Sequence, residues 1–279
     1  MILIKKARDL IKLLFKFRSD NLNIGFVPTM GALHEGHISL ITKCIDENHI
    51  CVASIFINPT QFTNLNDFNN YPSTIEADLD ILERNGCSVL FLPSVKEIYP
   101  ANHKTKFYDL GYIDTIMEGS FRPGHYQGVC QVVDNLLSQV KPDRLYLGQK
   151  DYQQCMVIKK LIQLEQYPIE IVVVATAREV SGLAMSSRNM RLSEEEKLTA
   201  AAISRNLFHV RDEIENLPAT SLKQGVRAAL TKEGFKVDYI EIADKITLQP
   251  LEKFEPRSGA VVLVAATLHD VRLIDNVLI

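Results

Sequence analysis

The 279-residue chain has no tryptophan, only five cysteines and no surplus of basic residues. Cys44, Cys51, Cys87, Cys130 and Cys155 are odd in number, widely spaced and never arranged as C-x-x-C. That argues against a disulfide framework and against a cysteine zinc site, and for reduced thiols in a core. With 31 Lys and Arg against 34 Asp and Glu, the net charge is −3. No global positive field is therefore available to hold a nucleic-acid backbone. The longest apolar stretches, such as residues 50–57, are too short to cross a bilayer. Lys5, Lys6, Arg8 and Lys12 interrupt the apolar N-terminal residues, which a signal peptide would keep apolar. An amphipathic first helix is expected there instead. What remains is 46% hydrophobic and 23% charged, enough to build cores without disulfides or a structural metal. The class expected is a cytoplasmic, two-domain protein with neither nucleic acid nor membrane as partner.

Strand-like and helix-like segments alternate up to about residue 175. The runs 24–27, 51–57, 88–92, 144–147 and 169–175 are short, apolar and bounded by turn residues. Between them, residues 124–140 carry Val129, Val132, Val133, Leu136, Leu137 and Val140 at helical spacing. Ser73 with Glu76 reads as a capping box opening a helix that runs to Gly86. This alternation predicts an α/β, Rossmann-like, doubly wound parallel sheet over residues 1–176. From residue 177 to 279 the texture changes to a smaller α+β domain. A polar loop over 178–191 leads into a second capping box, Ser193 with Glu196. Helices through Ile203, Leu207, Val210 and Ile214 and over 222–233 follow, then strands over 237–243, 260–267 and 271–275.

The strongest chemical signal follows the first of those strands: Pro28-Thr29-Met30-Gly31-Ala32-Leu33-His34-Glu35-Gly36-His37, running into a helix. A helix that starts at the carboxyl edge of such a sheet points free N–H groups and the positive end of its dipole at a bound anion. His34 and His37, three residues apart, could donate to phosphate oxygens as charge develops. Lys-Ser/Thr is missing after Gly36, so this is not a Walker loop, and the histidines are one residue too close for H-E-x-x-H. By themselves the residues leave open a phosphate site, a metal site and an ordinary turn. Asn58-Pro59-Thr60-Gln61 follows the second strand with neutral amides suited to hydroxyls or a carboxylate. Gly148-Gln149-Lys150-Asp151, with Gln154 one turn on, repeats the strand–loop–helix pattern with a cation. Met185-Ser186-Ser187-Arg188 adds two hydroxyls and a guanidinium in the polar loop.

Together these blocks resemble the adenylylating superfamily that includes class I aminoacyl-tRNA synthetases, and within it the pantothenate synthetase (pantoate–β-alanine ligase) family. The runs PTMGALHEGH at 28–37, IFINPTQF at 55–62, DFNNYPSTIEADL at 67–79, MEGSFRPGHYQGV at 117–129, KPDRLYLGQKDYQQ at 141–154 and GLAMSSRNMRLS at 182–193 carry the resemblance. It implies ATP-dependent condensation of pantoate with β-alanine through a pantoyl adenylate, with Mg²⁺ present, in a cytoplasmic homodimer. It also implies roles. Residues Met30 to His37 would grip ATP, with His34, His37, Lys150 and Arg188 catalytic on its phosphates. Gly148, Gln149 and Asp151 would hold the nucleoside end, with the Ala177 backbone against adenine. Gln61 and Gln154, helped by Asn58, would clamp pantoate. Met185, Ser186, Ser187 and Arg188 would close as a lid carried by the smaller domain. No protein ligand for the metal is identified, and Asp78 is the one acidic candidate. Ser73, Gln127, Asn135 and Ser181 depart from the family pattern without touching this set.

Overall fold

A computed structural model describes residues 1–253 and 259–279. The chain divides into two compact units, one of residues 1–148 and 154–175, the other of residues 149–153 and 176–279. In the first unit six strands run parallel: β1 (Ile2–Ile4), β2 (Ile24–Thr29), β3 (Ile50–Ile55), β4 (Val89–Phe91), β5 (Arg144–Gly148) and β6 (Glu170–Val174). Their order is β1-β4-β3-β2-β5-β6.

The central strands are mostly apolar because both faces are covered. Alternate residues of one strand point to opposite faces. Phe26, Val52 and Leu145 therefore join one core with the helices Ala7–Ser19 and His125–Val140, contributing Leu10, Leu14, Val133 and Leu137. Their neighbours Val27, Ala53 and Tyr146 join the opposite core with Ile41 and Leu82, from the helices Glu35–Glu47 and Ile75–Arg84. The strand order reverses between β2 and β5, so the carboxyl ends of these strands, Thr29 and Gly148, flank the switch point at which such sheets bind ligands.

Two local expectations change here. Residues 2–4 form an edge strand, and the first helix begins only at Ala7. Three residues carry no readable period; pairing with Val89–Phe91 decides their state. The Ser73 capping box is not formed. Thr74 is the N-cap, without a side-chain cap bond, and its hydroxyl donates to Asp78 instead (3.1 Å). The Ser193–Glu196 box is formed, at 3.2 and 2.7 Å.

In the second unit, β7 (Lys236–Asp244), β8 (Ala260–Leu268) and β9 (Val271–Leu278) make an antiparallel sheet in that order. Its core packs Ile242, Val262, Val264 and Leu273 with Leu207 and Val210 from the helix Ala202–Glu213 and Leu222 and Val226 from Ala219–Lys232. β9 runs past the expected end at Asp275, since a polar Asp-Asn pair reads as a turn from sequence. The five cysteines are all buried, and among the described residues none is in a disulfide. Hydrogen bonding among neighbouring thiols, and then burial, push Cys51 and Cys87 up, so both fill space as neutral thiols.

Candidate active site

The loop after β2 is held from within by a buried carboxylate. Gly31 has φ +82°, and a Cβ there would meet Asp78 Oδ2 at 3.0 Å. Ala32 also sits at positive φ (50°), a conformation that costs a side-chain-bearing residue energy unless its surroundings impose it. Asp78 imposes it. Its carboxylate, 1% exposed, accepts from the Ala32 N–H (2.9 Å) and the Leu33 N–H (2.8 Å). Hydrogen bonds to a charged acceptor are each worth about 1.5–3 kcal/mol net. The expected metal candidate is therefore the loop's anchor.

His34 is the N-cap of the helix Glu35–Glu47, and the two histidines make a reciprocal capping box. His34 Nδ1 accepts from the Gly36 N–H (3.1 Å), and His37 Nδ1 accepts from the His34 N–H (3.3 Å). Their ring centroids lie 4.1 Å apart. With Nδ1 accepting in both, each neutral ring carries its proton on Nε2. One arrangement thus satisfies two helix-terminal N–H groups and sets both Nε2–H groups as donors. Met30, at the start of the loop, accepts from Gln61 Nε2 through its sulfur (3.1 Å).

Gln61 closes a short 3₁₀ turn, Pro59–Gln61, after β3. Asn58, 1% exposed, organises it. Both Nδ2 protons are used, on Gln61 Oε1 and the Gly128 carbonyl (each 3.1 Å). Its Oδ1 accepts from Thr60 N (3.3 Å), Thr60 Oγ1 (3.0 Å) and Tyr99 Oη (2.8 Å). Burial pushes the Tyr99 phenol up, so it stays a donor. These bonds make Asn58 the hub that holds the turn and positions Gln61. His125 braces the same turn, its Nδ1 2.8 Å from the Gln61 carbonyl and its Nε2 3.0 Å from Arg122 Nη1. Arg122 in turn faces Glu118 (3.5 Å). Residues 118, 122 and 125 lie inside the quoted MEGSFRPGHYQGV block, but sequence assigned them nothing. A glycine at 128 lets the helix His125–Val140 approach this turn, because a Cβ there would overlap the Thr60 carbonyl. Gly128→Ala is expected to cost about 1–3 kcal/mol by overpacking and to displace Gln61. Thermal unfolding alongside ligand titration checks both effects. Gln154 stands third in the helix Tyr152–Leu164, half-buried.

In the second unit, residues 149–151 form a 3₁₀ turn. Lys150 Nζ lies 3.3 Å from Asp151 Oδ1. Asn276 of β9 bonds to the Gln149 and Lys150 carbonyls (2.9 and 2.8 Å). At Gly148, directly before the turn, a Cβ would meet no atom of the described residues within 4 Å beyond its chain neighbours. The expected lid residues are ordered by local pairing. Met185 N–H donates to the Ala177 carbonyl (2.9 Å), Arg178 and Ala184 form a bridge, and Gly182 turns the chain at φ +91°. Ser186 then caps the 3₁₀ turn Ser187–Arg191 by accepting from Arg188 N (3.3 Å). Arg178 anchors this hairpin on Asp275 through two bonds, 2.6 and 3.0 Å. Burial pushes the Asp275 carboxyl up, and the Arg178 guanidinium pulls against it.

Among the described residues no group of three or more His, Cys, Asp or Glu is placed to hold a metal ion. With the oxygens of Asp78 spent on the loop and on Thr74, the donor set offers no cage for a resident Mg²⁺. No helix of the described residues is long and apolar enough to cross a membrane.

Over residues 2–278 the chain matches the family model for pantoate-beta-alanine ligase. The pantothenate synthetase of Bacteroides fragilis (strain YCH46) is 42% identical over 278 residues, 99% of this chain and 98% of that protein. That of Cytophaga hutchinsonii is 43% identical over 282 residues, covering 100% and 99%. Among solved structures, pantothenate synthetase from Thermus thermophilus aligns at a TM-score of 0.93 and 37% identity over 99% of both chains. Pantoate-beta-alanine ligase from Francisella tularensis, complexed with beta-gamma ATP and beta-alanine, aligns at 0.83 and 38%, over 100% of this chain and 97% of that one. The doubly wound sheet, the histidine-capped helix at its switch point and these whole-length similarities agree, and the chain belongs to the pantoate–β-alanine ligase family.

Proposed function

We propose that this chain, a ligase that joins pantoate to β-alanine at the expense of ATP, works in two steps. A pantoate carboxylate oxygen attacks the α-phosphorus of ATP, the bond to the bridging oxygen breaks, and pyrophosphate leaves. The β-alanine amine then attacks the acyl carbon of the pantoyl adenylate. The bond to the AMP oxygen breaks, the amine gives up its proton, and pantothenate and AMP are formed. The carboxylate is activated first because AMP leaves from an acyl carbon far more readily than oxide does.

The observation that carries this reading is the reciprocal cap of His34 and His37, which fixes two Nε2–H donors at the N-terminus of the helix after β2. On this reading they stabilise charge developing on the phosphates. Lys150 and Arg188 supply cations to the same groups, and Lys150 follows the charge onto pyrophosphate. The loop from Met30 to Leu33, whose Ala32 and Leu33 N–H groups are spent on Asp78, borders the phosphates in the shape that Asp78 gives it. Gly148, Gln149 and Asp151 take the ribose end, and the Ala177 backbone takes adenine. Gln61 and Gln154 clamp pantoate's hydroxyls and carboxylate. Residues 185–188 shield the hydrolysable adenylate from water. Magnesium enters as part of the nucleotide substrate, held by its phosphates. A cytoplasmic homodimer completes the proposal, and five buried cysteines outside any disulfide suit a reducing compartment.

The test is AMP release from Mg·ATP with pantoate, with and without β-alanine. Strong release only with both substrates supports the reading; release indifferent to either substrate overturns it. Gln61→Ala is expected to raise the pantoate KM about tenfold or more while the ATP KM stays near that of the parent, since a lost amide leaves substrate polar groups unpaired. Equal loss for both substrates would remove Gln61 from the pantoate site.

A further inference from the structure

β9 alternates in the usual way, with Val271, Leu273 and Val277 facing the core of the second unit. Asn276 points to the other face, where Arg272 and Ile274 are only half-buried, yet it is 1% exposed. What covers it is the lysine turn. Its two Nδ2 protons go to the carbonyls of Gln149 (2.9 Å) and Lys150 (2.8 Å), and its Oδ1 accepts from Gln149 Nε2 (3.2 Å). An asparagine amide has two protons to donate, and both are spent on consecutive carbonyls of one turn. The base of this clamp is fixed as well. Arg178 Nη2 donates to the Asn276 carbonyl (3.3 Å) while both guanidinium nitrogens hold Asp275, and the Asn276 N–H donates to Asp275 Oδ1 (2.7 Å). One dipeptide near the end of the chain therefore ties down the turn carrying Lys150 and, through Arg178, the hairpin leading to Arg188.

We propose that Asn276 is a positioning residue for the adenylation step, setting the backbone from which Lys150 reaches the phosphates. This rests on the role given to Lys150 above. The geometry allows little substitution. Aspartate would turn two donors into an acceptor facing two carbonyls, and alanine would remove the donor from both. Misplacing a group by about 1 Å costs up to about a hundredfold in rate.

The experiment measures pantoate-dependent ATP–pyrophosphate exchange in the full chain, in Asn276→Ala and Asn276→Ser, and in each combined with Lys150→Ala. Thermal unfolding is followed in parallel, and the serine variant, which keeps a small polar group in the buried position, is read if alanine unfolds the chain. The expected result is a kcat about tenfold to a hundredfold lower with the pantoate KM within about twofold. In the Lys150→Ala background the same change should cost less than about twofold, because its target is already gone. Exchange within about twofold of the parent in a folded variant, or losses that multiply with those of Lys150→Ala, would overturn the proposal. A parent chain with no pantoate-dependent exchange would instead fail the reading of Lys150 itself, and Asn276 with it.

Discussion

His37→Ala is expected to form pantoyl adenylate on the order of 10²–10³-fold more slowly than the parent, the usual loss for one preorganised donor at developing charge. Lys150→Ala is expected to lose at least a comparable factor, on the order of 10² or more, since it removes a full charge from the leaving pyrophosphate. The two variants should differ in stability. His37 Nδ1 also accepts the His34 N–H within the capping box, so its removal should cost about 1 kcal/mol of folding free energy. His37→Gln separates the two roles. Glutamine at that helix position serves the same capping box, so stability should return while the rate stays low. Pyrophosphate release in the first turnover, with thermal unfolding alongside, reads both quantities. Near-normal release from His37→Ala would reduce this residue to a cap.

Asp78→Ala is expected to be the most damaging change outside the histidines and the lysine. It strands the Ala32 and Leu33 N–H groups in a buried place, at about 1–3 kcal/mol each, and removes what holds Ala32 at φ +50°. The loop from Met30 to Leu33 should relax, raising the ATP KM and lowering kcat together, with a lower unfolding temperature. Asp78→Asn keeps the size and one acceptor but turns an amide N–H toward a backbone N–H, so it should recover only part of the loss. The result that would contradict the anchoring role is an Asp78→Ala chain that melts like the parent. Unchanged stability with a higher Mg²⁺ requirement would return Asp78 to the metal.

These two predictions draw on sequence in different ways. His34 and His37 were legible because a local pattern carried them: a strand, glycines and then a helical period place both on one helix start. The strands on either side were legible for the same reason, as continuous apolar runs between turn residues. Asp78 was misread. It sits in a helix 46 residues from Ala32, and nothing in its neighbourhood says that its carboxylate faces backbone N–H groups. The five hydrogen bonds that tie Asn58 to its own turn, to Gly128 and to Tyr99 were not legible, because two of those partners lie far along the chain. His125 and Asn276 stood in plain view without a role, since their partners lie 64 and 126 or more residues away.

The sequence by itself determined the parallel α/β unit, the smaller α+β unit after it, the histidine loop at a strand's carboxyl edge and the family to which these motifs point. All of these are recorded in short-range periodicity and in the order of motifs along the chain, which tertiary contacts reinforce without rewriting. Only the tertiary structure decided which polar residues face ligands and which hold those residues in place. An amide or carboxylate carries the same donors and acceptors in either role, and the choice is made by whichever distant backbone group folding brings within hydrogen-bond reach.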